Sequence, residues 1–152
     1  MIKRYGACLL AVAAVTLSDQ WFKHWITANV KGTAGIELPA GLVRLTYVEN
    51  RGAAFGILEN MRWLFVILGA AVVIAICFTV VRERVKNPFA LAGTSLITAG
   101  TIGNLIDRAA NGFVVDMFEL TFVSFAIFNI ADIALTLGGV TICLYILLHR
   151  SK

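Results

Sequence analysis

Residues 63–81 read WLFVILGAAVVIAICFTVV, an apolar run without a charged residue that decides which solvent surrounds the chain. A helix needs about 20 apolar residues to cross the roughly 30 Å hydrocarbon layer of a membrane. Arg62 and Arg82 bracket the run, as expected for a segment whose two ends reach the polar headgroups. We therefore interpret residues 63–81 as a membrane-spanning helix.

The overall composition supports a membrane protein. Of the 152 residues, 59% are hydrophobic and 14% are charged, whereas soluble domains carry about 45–50% apolar and about 25% charged residues. This balance excludes a disordered chain or a disulfide-rich secreted scaffold. The net charge of +4 does not indicate a nucleic-acid partner, because the basic residues mark the ends of segments and form no basic patch.

Three further segments are long enough to cross a membrane, namely residues 5–26, 89–106 and 125–148. We predict an α-helical integral membrane protein with four transmembrane helices, formed by residues 1–152 as a single domain. An alternative is that the first segment is a cleavable signal peptide, since basic residues precede a short apolar stretch and Thr16-Leu17-Ser18 offers small residues at the spacing of a cleavage site. That alternative leaves three spans and separates a polar cluster at Asp19 from the rest.

The distribution of basic residues predicts the orientation. Residues 1–4, 82–87 and 149–152 are short, yet they hold more than half of the 13 lysines and arginines. The positive-inside rule places these segments in the cytoplasm. Both termini are then cytoplasmic, and the loops after the first and third spans lie outside.

The long loop after the first span contains a predicted β element at about residues 36–58. Between Leu42 and Val48, apolar residues alternate with polar ones, and Asn50-Arg51-Gly52 follows as a turn. Residues 112–120 alternate in a similar way and can join the same sheet. We expect a small extracytoplasmic β element.

Charged groups within a membrane cost about 2.5–3.5 kcal/mol at the helix centre, so each one needs a reason. Counting 1.5 Å per helical residue brings the polar residues of three spans and one loop to a single level near the outer surface. These are Asp19 and Lys23 on the first span, Asn104, Asp107 and Arg108 on the third, Asn129 and Asp132 on the fourth, and Asp116 in the loop between the third and fourth.

The residue types at this level favour acid–base chemistry by carboxylates. None of the four serines lies in a GxSxG motif or near a histidine that could serve as its base, and no CxxC or HExxH spacing indicates a metal or haem. We therefore expect no metal and no cofactor. Two carboxylates in a poorly hydrated site are forced into different protonation states and can hydrolyse an amide. By depth, the pair is Asp116 and Asp132.

Other interpretations remain open at this point. Asp132 alone could serve a small four-helix proton-coupled transporter. The polar level could also consist only of helix-end pairs in a non-enzymatic assembly factor. Asp19 with Lys23 can be an interfacial ion pair, and Asp107 with Arg108 can be a solvated helix end.

Five segments in series resemble the ordered motifs of bacterial lipoprotein signal peptidase, also called signal peptidase II. The resemblance covers nearly the whole chain, and the order and spacing of the five segments agree with the family. The segments are Asp19-Gln20-Trp21-Phe22-Lys23, Asn50-Arg51-Gly52-Ala53-Ala54-Phe55-Gly56, Gly103-Asn104-Leu105-Ile106-Asp107-Arg108, Val114-Val115-Asp116 and Phe128-Asn129-Ile130-Ala131-Asp132.

The resemblance implies an aspartic endopeptidase of the bacterial inner membrane, with its active site at the outer face. Its substrate is a prolipoprotein, cleaved just before a diacylglyceryl-modified cysteine, and we expect it to act as a monomer in contact with membrane lipid. The family fold adds a β-cradle and a loop helix on the membrane surface. By motif, Asp116 and Asp132 are catalytic. Asn50, Gly52, Asn104, Arg108 and Asn129 line the substrate site, and Asp19, Lys23 and Asp107 support it.

Overall fold

The computed structural model describes residues 2–52 and 57–149. The described residues form four helices and three strands. In chain order they are α1 (Ile2–Asn29), β1 (Ile36–Glu37), β2 (Val43–Asn50), α2 (Arg62–Arg82), α3 (Pro88–Asn111), β3 (Val114–Leu120) and α4 (Ile130–His149).

Within the described ranges, three helices are long and apolar enough to cross a membrane, and these are α2, α3 and α4. The first helix is longer, with 28 residues, but its second half carries Ser18, Asp19, Gln20 and Lys23. These polar residues interrupt its apolar run. The structure therefore has the four predicted helices, while the crossing of the membrane by α1 remains a prediction.

The third helix lies at the centre of the bundle and packs against each of the other three. Small residues allow α4 to approach it closely. A Cβ atom on Gly138 would lie 2.8 Å from the carbonyl oxygen of Gly93, and a Cβ on Gly100 would overlap the carbonyl oxygen of Ala131. The two backbones are thus in direct contact at two levels.

The ends of α3 follow from its sequence. Asn87 precedes the helix, and its Oδ1 accepts hydrogen bonds from the backbone N–H groups of Phe89 and Ala90, while Pro88 occupies a favoured first-turn position. Gly112 ends the helix with a φ of 84°, a left-handed conformation that glycine adopts without strain. The helix therefore extends to Asn111, beyond the predicted limit of residue 106.

The predicted fourth span, residues 125–148, is wrong at its start, because α4 begins only at Ile130. The preceding Phe128 is extended and forms two backbone hydrogen bonds with Phe118 of β3. Asn129 then caps the helix reciprocally. Its Oδ1 accepts from the Asp132 N–H at 2.9 Å, and Oδ2 of Asp132 accepts from the Asn129 N–H at 3.2 Å. Asp132 consequently lies in the first turn of α4, not within the body of the span.

The three strands form one antiparallel sheet in the order β1-β2-β3. Val43 pairs with Leu120 and Asn50 pairs with Val114, with an irregularity between Leu45 and Val48. This confirms the prediction that residues 112–120 join the strand formed near residues 42–48. The predicted β element is shorter than residues 36–58, because β2 ends at Asn50 and residues 57–60 form turns.

Apolar packing attaches the sheet to the carboxyl end of α1. Ile26 and Val30 pack against Leu45, Val115 and Met117, and all five are buried. Between β2 and α2, no described residue is helical, and residues 53–56 lie outside the described part of the chain. The loop helix implied by the family resemblance is therefore not found among the described residues of this connection.

Candidate active site

Asp116 lies in the middle of the most buried part of the sheet. Val114 to Met117 are four consecutive buried residues, because both faces of β3 are covered at this point. The Asp116 side chain is 2% exposed. Its Oδ1 accepts a hydrogen bond from Asn129 Nδ2 at 2.6 Å, and its Oδ2 accepts one from Asn50 Nδ2 at 2.9 Å. Both oxygens are thus occupied by amide donors.

Burial raises the pKa of Asp116 to about 6, well above the usual range for aspartate. The charge of Asp132 contributes to the rise, whereas the hydrogen bonds from Asn50 and Asn129 and the charge of Lys23 oppose it. Loss of solvation disfavours the charged carboxylate, as does a second acid nearby. Asp116 therefore binds a proton much nearer neutrality than an exposed aspartate does.

Asp132 occupies a different environment, at the amino end of α4. Its Oδ1 accepts a hydrogen bond from Asn104 Nδ2 at 2.8 Å, and its Oδ2 accepts from the backbone of Asn129. Free N–H groups in the first turn of a helix stabilise a negative charge. Both oxygens of this carboxylate therefore accept hydrogen bonds, one from a side-chain amide and one from the backbone.

Asparagine side chains connect the two acids. Asn129 contacts Asp116 through its side-chain amide and Asp132 through its backbone. The same amide donates to Oδ1 of Asn104 at 3.2 Å, and Asn104 in turn donates to Asp132. The structure therefore brings Asp116, Asp132, Asn50, Asn104 and Asn129, all named by the family resemblance, into one hydrogen-bonded network.

Arg108 and Gly52 meet on the side of this network that faces α2. Arg108 donates to the carbonyl oxygen of Gly52 at 2.9 Å, and its guanidinium carbon lies 4.6 Å from the centre of the Phe65 ring. The N–H of Gly52 donates to Oδ1 of Asn50 at 2.9 Å. Arg108 thereby fixes the turn that orients Asn50 toward Asp116.

Lys23 is at the centre of a second buried cluster, directly beneath the first. Its ammonium group lies 2.8 Å from Asp19 and 3.0 Å from Asp107, and it donates to Oδ1 of Asn104 at 3.1 Å. An ammonium group has three N–H donors, so these three partners satisfy it completely. The Lys23 and Asp19 side chains are 3% and 1% exposed, which contradicts the alternative of an interfacial helix-end pair.

The two carboxylates of this second cluster fix the neighbouring elements. Asp19 accepts from the backbone N–H of Ala131 at 2.9 Å, and this contact positions the start of α4. Asp107 accepts from the backbone N–H of Val115 at 3.2 Å, and this contact positions β3 one residue before Asp116. Because Asp107 is buried, the solvated-end alternative is wrong for this residue.

Two residues that contact the site were not predicted to be site residues from the sequence. Gln20 donates to the carbonyl oxygen of Gly103 and to Oδ1 of Asp107, at 3.1 and 3.0 Å. Its place within the Asp19–Lys23 motif was the available signal. Phe65 is one of several apolar residues of α2, and nothing in the sequence distinguishes it from the others.

A cavity of about 630 Å³ lies beside the acids and is mostly apolar. Asp132, Asn50, Asn104 and Arg108 form its polar end. The described residues that line it do not include Asp116, which is separated from it by Asn50 and Asn129. The rest of the lining comes from α2, α4 and the segment before α4, namely Phe65, Phe125, Ala126, Ile127, Phe128, Ile133, Leu135, Thr136 and Leu137.

Apolar helices that can span a membrane, together with two acids at the end of an apolar cleft, define a membrane protein equipped for acid–base chemistry. Residues 11–148 match the family model described as signal peptidase (SPase) II. The chain belongs to the signal peptidase II family and is a peptidase. These comparisons give no support to the transporter alternative.

Curated relatives agree over most of the chain. Proteins described as lipoprotein signal peptidase are 45% identical in Streptococcus thermophilus, over 89% of this chain and 88% of the relative, and 41% identical in Clostridioides difficile, over 88% and 90%. A relative of the same description in Brevibacillus brevis is 40% identical, over 94% and 96%. A solved bacterial membrane enzyme, 34% identical, superposes with a TM-score of 0.91 over 96% of this chain and 90% of that one.

Proposed function

We propose that this protein is an aspartic endopeptidase that removes signal peptides from prolipoproteins, with Asp116 and Asp132 as its catalytic pair. The proposal rests on one observation above all. Two acids are connected through Asn129, and one of them, Asp132, lines the polar end of an apolar cleft. Family membership supports the substrate class, since the relatives are described as lipoprotein signal peptidases.

In the proposed reaction, Asp132 acts as the base because its carboxylate lines the cleft, where a water molecule can reach it. It removes a proton from a water molecule, and the resulting hydroxide attacks the carbonyl carbon of the scissile peptide bond. Protonated Asp116 donates a hydrogen bond to the carbonyl oxygen and stabilises its developing negative charge. When the C–N bond breaks, the leaving amine takes the proton held by Asp132.

Asn50 is the residue through which substrate would reach Asp116. Its side chain lies between the cleft and Oδ2 of Asp116. A substrate backbone offers the same hydrogen-bonding groups as the turn at Gly52, so it can replace the contacts that hold Asn50 over the acid. Asn104, Arg108 and Asn129 complete the binding site.

The apolar part of the cleft suits the acyl chains of a diacylglyceryl-modified cysteine. Leu135, Thr136 and Leu137 of α4 continue the lining from Asp132 toward the membrane interior. Each buried methylene contributes about 0.8 kcal/mol, so two acyl chains supply much of the recognition. The scissile bond before that cysteine is then held at the level of the acids.

We further infer a single domain with four spans, in which α1 crosses the membrane with α2, α3 and α4. The sheet forms an extracytoplasmic cradle for the peptide, both termini are cytoplasmic, and the site lies at the outer face of the inner membrane. We expect the protein to act as a monomer in contact with membrane lipid.

The test is cleavage of a diacylglyceryl prolipoprotein peptide by the Asp116→Asn and Asp132→Asn variants in detergent. Each substitution preserves size and removes the ionisable group, so we expect the rate to fall by at least about 10²–10⁴-fold. Circular dichroism establishes that each variant is folded.

A matched control is Glu119→Gln, which also neutralises an acid of β3. Glu119 is part of a surface pair with Arg44, so we expect this variant to retain full activity. Substantial turnover by a folded Asp116→Asn or Asp132→Asn variant would refute the catalytic pair.

A further inference from the structure

A groove between α1 and α3 lies at the end of the bundle opposite the acids. It encloses about 540 Å³, within the ~300–1,000 Å³ typical of small-molecule sites. Ala7, Cys8 and Ala11 form one wall and Leu91 and Ala92 form the other. The groove is open where the side chains of Ala7, Cys8, Ala11 and Ala92 are small, and its walls are almost entirely apolar.

A second, more polar cavity of about 320 Å³ adjoins one end of this groove. Arg4 lines both cavities, and the second is completed by Tyr5, Val85 and Lys86. An apolar groove that opens at a basic pocket is complementary to an amphiphilic molecule with a negatively charged headgroup.

The pocket is formed by an ordered turn after α2. Arg84 adopts a left-handed φ of 47°. Its N–H bonds to the carbonyl of Val81, and the N–H of Val85 bonds to that of Val80, which is a Schellman arrangement. This turn directs two carbonyl groups at α1, where Arg4 donates to Lys86 O and Tyr5 donates to Val85 O.

The basic groups of the pocket are not neutralised by the protein. In the part of the chain that the structure describes, neither Arg4 nor Lys86 forms an ion pair, whereas the nearby Arg82 lies 3.9 Å from Glu83. Arg4 uses one guanidinium nitrogen for the carbonyl of Lys86 and keeps further donors free for a ligand. A phosphate group complements this pair of charges.

We propose that this site binds a diacyl phospholipid with an anionic headgroup. One acyl chain lies in the groove between α1 and α3, and the phosphate contacts Arg4 and Lys86. The bound lipid thereby fills the gap between two helices at the end of the bundle that carries the chain termini. Juxtamembrane basic residues commonly attract anionic lipids, and the groove adds a place for the acyl chain.

The experiment is native mass spectrometry of the full chain released from detergent, with dioleoyl phosphatidylglycerol and dioleoyl phosphatidylcholine as the two probes. The probes share their acyl chains, so a difference reports the headgroup. We expect phosphatidylglycerol to be retained about tenfold more strongly, and the double variant Arg4→Gln/Lys86→Gln to lose that preference.

Two variants separate this site from general charge attraction. Arg82→Gln/Lys31→Gln removes the same number of charges outside the site, and it should keep the preference. Ala92→Phe fills the groove without changing charge, and it should reduce retention of phosphatidylglycerol. Added inorganic phosphate should not displace the lipid, because it lacks acyl chains.

Equal retention of the two lipids by the wild-type protein would overturn the proposal, as would equal losses in the two double variants. Unchanged retention by Ala92→Phe would exclude the groove as the seat of the acyl chain. Should Arg4→Gln/Lys86→Gln fail to fold by circular dichroism, the comparison of the two lipids and the Ala92→Phe variant still decide the question.

Discussion

The two buried polar clusters at one end of the bundle share Asn104 but treat charge in opposite ways. Around Lys23, two carboxylates flank one ammonium group, and each donor of that group has an acceptor. Around Asp116, two acids are connected by neutral amides, and no cation is within ion-pair distance of either one in the described ranges.

From this difference we infer a structural role for the Lys23 cluster and a chemical role for the Asp116–Asp132 cluster. The Lys23 cluster is closed, and it fixes α4 and β3 through backbone contacts. The Asp116–Asp132 cluster borders a cleft, and no cation among the described residues forms an ion pair with either acid, so protons can move on and off it. A buried acid pair is available for chemistry because the neighbouring cluster provides the rigidity.

The strongest test of this contrast is Lys23→Met. The substitution leaves Asp19 and Asp107 buried without a counter-charge, and breaking such a network typically costs about 3–5 kcal/mol. We expect the free energy of unfolding to fall by about that amount in a denaturant titration in mixed micelles.

A second lysine provides the control for that experiment. Lys31 pairs with Glu49 at the surface, where both side chains are substantially exposed, and such pairs contribute little. Lys31→Met should leave the unfolding midpoint unchanged. A Lys23→Met variant as stable as Lys31→Met would show that the buried cluster is not structural.

The pH dependence of the free energy of unfolding provides a test of the Asp116–Asp132 cluster. Because the pKa of Asp116 is raised to about 6 in the folded protein, the folded state binds a proton that the unfolded state has already lost between about pH 4 and 6. The contribution of Asp116 is therefore fully present below about pH 4 and disappears as the pH rises through 6.

Asp116→Asn removes this titration. Relative to the wild type, the variant should gain stability as the pH increases from 4 to 7, by about 2–3 kcal/mol at the upper end. Unfolding titrations at several pH values measure the difference between the two proteins. A difference that stays constant with pH would mean that Asp116 has an ordinary pKa.

Asn129 permits a finer test, because it caps α4 and also contacts Asp116. Asn129→Ser keeps a side-chain oxygen for the cap but loses the amide that donates to Asp116, whereas Asn129→Ala loses both. We expect Asn129→Ala to unfold about 1 kcal/mol more easily than Asn129→Ser. Both should cleave the lipopeptide more slowly by a similar factor.

Normal activity in Asn129→Ser would show that the side-chain amide is not needed for the reaction. The residue would then serve only to cap α4. Equal stability of the serine and alanine variants would instead show that the cap is unimportant. The two measurements therefore separate the contribution of the Asn129 side chain to helix capping from its contribution to the reaction.

The sequence predicted most of the site, because helical spacing fixes which residues share a level. Asp19 and Lys23, four residues apart, form an ion pair, and Asn104 and Asp107, three apart, both contact Lys23. Depth counting along the helices also placed Asp132 beside Asp116. The strand pairing followed from alternation of apolar and polar residues.

The errors came from interactions that are remote in sequence. Residues 125–128 are apolar and continue the hydrophobic pattern of the fourth span, but backbone pairing between Phe128 and Phe118 keeps them out of the helix. Likewise, the burial of the Lys23 cluster depends on how closely α4 approaches α3. Periodicity along one segment contains no information about either contact.

That close approach has a consequence for the height of the reaction in the membrane. Gly100 touches the carbonyl of Ala131, and a Cβ on Gly103 would meet Oδ2 of Asp19 at 2.7 Å. Because no side chain separates the backbones of α3 and α4 at this level, their direct contact fixes the position of α4 along α3. In the proposed reaction, side chains farther along the cleft, such as Leu135 and Leu137, can therefore vary to suit different acyl chains while the acids stay at a constant depth.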